Sequence, residues 1–136
     1  MGASRILVVD DTVDTREMFA LYFRSCGFVV DTAHDGLTAI EAAQRLQPDV
    51  IVMDVAMPGV DGVTATREIR RDSRTAGIPI VFLTAYPIRA IREGALEIGA
   101  SFVMKPCAPE ELEQHVRSVL DARRPGGPAL DQRDSA

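Results

Sequence analysis

Val50-Ile51-Val52-Met53-Asp54, followed by Met57-Pro58-Gly59 and Asp61-Gly62, is the stretch on which the fold of this chain turns. Four apolar residues in a row suit a buried strand, and the Pro- and Gly-rich segment after them marks a loop. The run stops at a carboxylate. Working outward, three more apolar runs stop at a polar group. Ile6-Leu7-Val8-Val9 ends at Asp10 and Asp11, Ile80-Val81-Phe82-Leu83 at Thr84, and Phe102-Val103-Met104 at Lys105. If these runs are parallel strands, all these groups meet at one edge of one sheet, where open α/β sheets bind ligands.

The segments between the runs have helical spacing. Residues 13–24 carry Met18, Phe19, Leu21, Tyr22 and Phe23 as a broad apolar face, with Gly27 as the stop. After a second strand over 28–32, Asp35-Gly36 opens a helix with Leu37, Ile40, Ala43 and Leu46 on one side, stopped by Pro48. The third strand covers 49–53 and the third helix 63–71. A fourth strand over 80–83 is followed by a helix over 87–98, with Pro87 in its first turn. The fifth strand covers 100–104. The last helix starts at Pro109-Glu110-Glu111, acids where the helix dipole prefers them, and turns Leu112, Val116, Val119 and Leu120 inward. Five βα units with short connections predict an α/β fold, a doubly wound parallel sheet covered on both faces.

The chain has 136 residues, 46% of them apolar, enough for one domain with a real core. Residues 1–4 read as an N-terminal extension, 5–122 as the domain, and 123–136, with Pro125-Gly126-Gly127-Pro128, as a flexible tail or linker stub. A net charge of −5 argues against direct nucleic-acid binding by this domain. No apolar run approaches the roughly 18 residues of a membrane span, and Met1-Gly2-Ala3-Ser4-Arg5 lacks a signal-peptide core. Cys26 and Cys107 match no metal or redox spacing, so free thiols and a cytoplasmic location are expected.

The residue types at the run ends point to phosphoryl chemistry. A carboxylate such as Asp54 can attack phosphorus and form an acyl phosphate. Adjacent carboxylates such as Asp10 and Asp11 repel each other and call for a cation. Mg²⁺ takes one or two protein carboxylates and completes its shell with water and phosphate oxygens. A lysine ending a buried strand needs a charge partner, and Asp54 or its phosphoryl oxygens would supply one to Lys105. The ordinary alternatives are a turn role for Asp54, plain strand positions for Thr84 and Phe102, and a helix cap from one of the paired acids. Thr12 is an equally good cap, so capping does not account for two acids.

With these residues, the chain resembles the response-regulator receiver domain of two-component phosphorelay signalling, over about residues 5 to 122. The resemblance implies a flavodoxin-like five-stranded sheet in the order 2-1-3-4-5, with five helices. It implies Asp54 as phosphoacceptor, with Lys105 and Thr84 completing the chemistry. Mg²⁺, with Mn²⁺ as a substitute, would be held directly by Asp11 and Asp54 and by the backbone carbonyl of Ala56. Asp10 would act mainly through water. The Lys105-Pro106 peptide would be cis. Thr84 and Phe102 would form the switch, and Ala56 and Tyr86 would tune dephosphorylation.

The implied donor is a sensor histidine kinase or a histidine phosphotransfer protein. The implied output is a partner protein or a C-terminal output domain beyond this chain. A homodimer through residues 87–98, strand 100–104 and the last helix stays open. Such a domain is a signalling receiver rather than an enzyme, catalysing only its own phosphorylation and dephosphorylation. Two positions depart from the family pattern: Cys107 replaces a larger apolar residue, and Ala108 replaces the usual cap before Pro109. A haloacid-type phosphatase would need an acid at position 56, where Ala56 stands. A nucleotide switch would need a GxxxxGK[ST] loop, and a flavodoxin a phosphate loop where Asp10 and Asp11 stand.

Overall fold

In a computed structural model, residues 2–55, 61–84 and 100–123 are described. They form β1 (Arg5–Val9), α1 (Val13–Ser25), β2 (Val29–Ala33), α2 (Gly36–Leu46), β3 (Val50–Asp54), α3 (Gly62–Arg71), β4 (Ile80–Thr84), β5 (Ser101–Met104) and α4 (Pro109–Arg123). The helix expected over 87–98, Ala56 and Tyr86 lie outside the described residues. The strands make one sheet in the order β2-β1-β3-β4-β5, all pairs parallel. This is the expected order.

Why these runs pair follows from their burial. β3 and β4 are buried along their whole length and β1 in all but its first residue, as expected of strands covered on both faces. Alternate side chains feed two cores. Leu7, Val9, Ile51, Met53, Ile80 and Phe82 pack against Ala39, Ala42 and Ala43 of α2 and Ala65 and Ile69 of α3. Ile6, Val8, Val50, Val52, Val81 and Leu83 pack against Phe19, Ala20 and Phe23 of α1 and Leu112, Val116 and Val119 of α4. The edge strands β2 and β5 carry the exposed Val29 and Met104.

Two helix faces differ from the sequence expectation. α1 buries Phe19, Ala20 and Phe23, whereas Leu21 is 70% exposed and Met18 43% exposed. At 100° per residue, positions 18 and 21 lie about 150° from the centre of the stripe that meets the sheet, on the opposite face of the helix. In α2, Ala43 is buried and Ile40 and Leu46 pack against the core as expected, whereas Leu37 is exposed and the small Gly36, Ala39 and Ala42 make the closest approach.

Helix ends are set locally. Gly27 adopts φ +97°, a conformation that ends α1 at no cost to a residue without Cβ. Asp35 caps α2 by accepting from Thr38 N at 2.8 Å, and Asp61 caps α3 by accepting from Thr64 N at 2.8 Å. Thr12, as suitable a cap by type as the acids before it, precedes α1 but makes no side-chain cap bond.

Candidate functional site

The sheet's carboxyl edge gathers the polar run ends. β1 and β3 pair up to Val9 and Met53, so Asp10 and Asp54 leave adjacent strands at the same level. This is the point where the winding direction reverses, with β2 on one side and β4 and β5 on the other, and ligand sites of open sheets lie there. Asp54 is the last residue of β3, one step later than expected, and pairs with Leu83 of β4. Thr84 ends β4, and its carbonyl accepts from Lys105 N at 2.7 Å, which ties the start of the post-β5 segment to the edge.

Burial within this group is uneven. Asp10 is 1% exposed, Asp54 7% and Thr84 4%, whereas Asp11 is exposed. Asp10 Oδ1 accepts from Thr12 N at 2.8 Å, a turn bond rather than a helix cap. Its other carboxylate oxygen, Oδ2, is buried with no hydrogen-bond partner among the described residues. Lys105 Nζ lies 3.5 Å from Asp54 Oδ2 and 3.7 Å from Asp10 Oδ2. Those are ion-pair separations, longer than a good hydrogen bond. The Lys105-Pro106 peptide is cis. Phe102 is half-buried against the α2/α3 core.

Oxygens of Asp10, Asp11 and Asp54 all lie within 4.8 Å of one another. At such separations each like pair repels by roughly 3 to 4 kcal/mol at an effective dielectric near 20. Lys105, placed against Asp10 and Asp54, offsets part of that repulsion. A buried carboxylate oxygen without a donor, in a set of hard oxygen ligands, suits a hard divalent cation. The donor set therefore fits Mg²⁺.

Two contributors were not singled out in the sequence. Gly62 was only turn punctuation there. A Cβ on it would stand 2.8 Å from the carbonyl oxygen of Asp54 and 3.0 Å from Val55 Cα. Only a glycine lets α3 begin this close to the end of β3. Gly62 N donates to Val55 O at 3.1 Å and Thr66 Oγ1 to Gly62 O at 2.8 Å, which fastens the contact. The other is Arg16, whose Nη1 donates to the carbonyl oxygen of Asp10 at 2.8 Å. Its one sequence signal is a cation in a helix's first turn, where acids are preferred.

Other titratable groups lie away from this edge. Burial pushes the Cys107 thiol up, aided by Glu111. Burial pushes the His115 imidazole down, and its Nε2 sits 2.9 Å from Ser101 Oγ. Both cysteines are free. Among the described residues no helix is long and apolar enough to cross a membrane.

Comparison with known proteins agrees with this geometry. Residues 6–117 match the family model of the response regulator receiver domain. The probable transcriptional regulator ycf27 of Cyanophora paradoxa is 41% identical over 131 residues, covering 96% of this chain and 53% of that protein. This chain spans about half the length of the curated relatives it matches. Chemotaxis protein CheY4 of Vibrio cholerae superposes with a TM-score of 0.83 at 31% identity, covering 87% of this chain and 99% of that one. The receiver domain of sensor histidine kinase PA1611 of Pseudomonas aeruginosa, with a magnesium ion coordinated in its active-site cleft, superposes at 0.80. It is 32% identical and covers 88% of this chain and 98% of that one.

Proposed function

This chain belongs to the response regulator receiver family, a signalling domain, and we propose that Asp54 is its phosphoacceptor, charged by a phosphohistidine donor. The observation that carries the reading is the meeting of Asp10, Asp11 and Asp54 oxygens within 4.8 Å, with Lys105 Nζ 3.5 Å from Asp54 Oδ2. A histidine kinase or a phosphotransfer protein presents the donor. An oxygen of Asp54 attacks phosphorus in line. The new O–P bond forms as the P–N bond breaks, and the electron pair returns to the imidazole nitrogen.

Lys105 holds the attacking carboxylate and offsets charge on the transferring oxygens. The Thr84 hydroxyl, at the end of the neighbouring strand, accompanies the phosphoryl group, and Phe102 responds by repacking. Phosphorylation is thus a local change of charge that biases a two-state surface. Water later hydrolyses the acyl phosphate, at a rate tuned by Ala56 and Tyr86. Asp11, Asp54 and the Ala56 carbonyl would hold Mg²⁺, or Mn²⁺ in its place, with Asp10 acting mainly through water. The ion supplies neutralisation of the phosphoryl oxygens when bound.

The output is passed either to a partner protein or to a domain following residue 123. The second route is favoured by relatives about twice as long, among them one named a transcriptional regulator. A cytoplasmic location fits the two free thiols.

Intact mass after acetyl phosphate treatment, with Mg²⁺ or with EDTA, tests the reading. Wild type gains one phosphoryl group only with Mg²⁺, and Asp54→Asn gains none. A gain in Asp54→Asn, or one unaffected by EDTA, would overturn it.

A further inference from the structure

We propose that Arg16 is a positioning residue for the acidic cluster, holding the Asp10 carbonyl and through it the aim of the Asp10 and Asp11 carboxylates toward a divalent cation. The proposal rests on the phosphoacceptor reading above. Arg16 Nη1 reaches back across the turn from β1 to α1 and donates to Asp10 O at 2.8 Å. Its side chain is only 15% exposed although it sits in the first turn of α1. A cation there opposes the helix dipole, so the position asks for a compensating role. Glu17 does not supply it: the contact is 3.9 Å long and the Glu17 side chain is 58% exposed.

Asp10 is pinned at three polar atoms. Its N donates to Ala33 O at 3.2 Å, its Oδ1 accepts from Thr12 N at 2.8 Å, and its O accepts from Arg16. The fourth, Oδ2, is the buried oxygen without a hydrogen-bond partner among the described residues, and it faces Lys105. Pairing of β1 with β3 stops at Val9, so the Asp10 carbonyl stands beyond that ladder and Arg16 supplies its donor. Groups that hold a metal ligand set its aim, and their loss weakens metal binding without touching the metal.

Charge and positioning make opposite forecasts. Removing a cation beside Asp10 would by Coulomb's law tighten Mg²⁺ binding, whereas releasing Asp10 would weaken it. Isothermal titration of Mg²⁺ alone into the full chain decides between them, for wild type, Arg16→Gln, Arg16→Lys and Arg70→Gln. Arg70 is the control, since it also donates to backbone carbonyls, of Ala76 at 3.0 Å and Ile78 at 2.7 Å, but away from the acids. We expect affinity to fall about tenfold or more in Arg16→Gln. Arg16→Lys, which keeps the charge but not the planar fork, also loses affinity, and it carries the comparison alone if Arg16→Gln does not fold. Arg70→Gln binds as wild type. Unchanged or tighter binding in the Arg16 variants, or an equal loss in Arg70→Gln, overturns the inference while leaving the phosphoacceptor reading intact. A folded wild type that binds no Mg²⁺ sinks the metal role and this inference with it.

Discussion

The two edges of the same sheet handle charge in opposite ways. At the amino edge, Arg5 N donates to Asp49 Oδ2 at 2.7 Å and Arg5 Nη1 pairs with Asp31 Oδ2 at 3.1 Å. Arg123 Nη1 donates to Asp49 O at 2.9 Å, and the Arg117 guanidinium lies 4.7 Å from the centre of the Phe28 ring. Asp49, Phe28, Arg117 and Arg123, with Asp121, border an open cavity of about 470 Å³ lined by both signs. At the carboxyl edge three carboxylates cluster, two of them buried, and Lys105 pairs with those two. Charges at the first edge satisfy the fold. Those at the second cost it stability, and a cost retained in a buried place marks chemistry.

That contrast can be broken at several points. The largest effect is expected from Gly62→Ala. The added methyl must displace the Asp54 carbonyl, so unfolding free energy should fall by about 1 to 3 kcal/mol in urea titration. The acyl phosphate yield should fall with it. A variant as stable as wild type would mean that α3 shifts freely and does not brace the site.

A sharper comparison comes from removing one acid at each edge, in EDTA. Asp10→Asn relieves repulsion within the cluster and should raise stability by about 1 kcal/mol, although it gives up the 3.7 Å contact to Lys105. Asp31→Asn removes a matched, partly exposed pair and should lower stability by at most about 1 kcal/mol. Saturating Mg²⁺ should then stabilise wild type and not Asp10→Asn, because only the intact cluster binds the ion. If Asp10→Asn is the less stable variant in EDTA, the cluster is an ordinary structural ion pair.

The smallest effect lies between the edges, at His115. Burial lowers its folded pKa, so below about 6.5 the unfolded chain takes up more protons than the folded one. Stability from this group is complete above that pH and is lost as pH falls toward the depressed folded value. Thermal midpoints measured from pH 7.5 to 5 should flatten in His115→Gln. Parallel profiles for the two proteins would show that His115 titrates alike in both states.

Much of the site could be read from the chain, because each site group ends its own apolar run: Asp10, Asp54, Thr84 and Lys105. The helix faces were less legible. Leu21 and Leu37 fit an apolar period yet face solvent, since periodicity ranks residues by type and packing chooses among stripes by shape. Gly62 looked like any turn glycine, because nothing local tells that Asp54 O approaches its Cα.

The sequence by itself determined the described elements and their order, the buried character of β1, β3 and β4, and the polar residue at the ends of β1, β3, β4 and β5. These depend on interactions over a few residues, which local composition encodes. Only the tertiary structure decided which acids are buried and which is exposed, that Lys105 reaches both Asp10 and Asp54, and that Arg16 secures the Asp10 carbonyl. The Lys105 ion pairs join residues 51 and 95 positions apart, and the burial of each acid likewise depends on how separately formed segments pack, which no local pattern carries. Arg16 stands only six positions from Asp10, but its reach to that carbonyl is set by how α1 leaves β1.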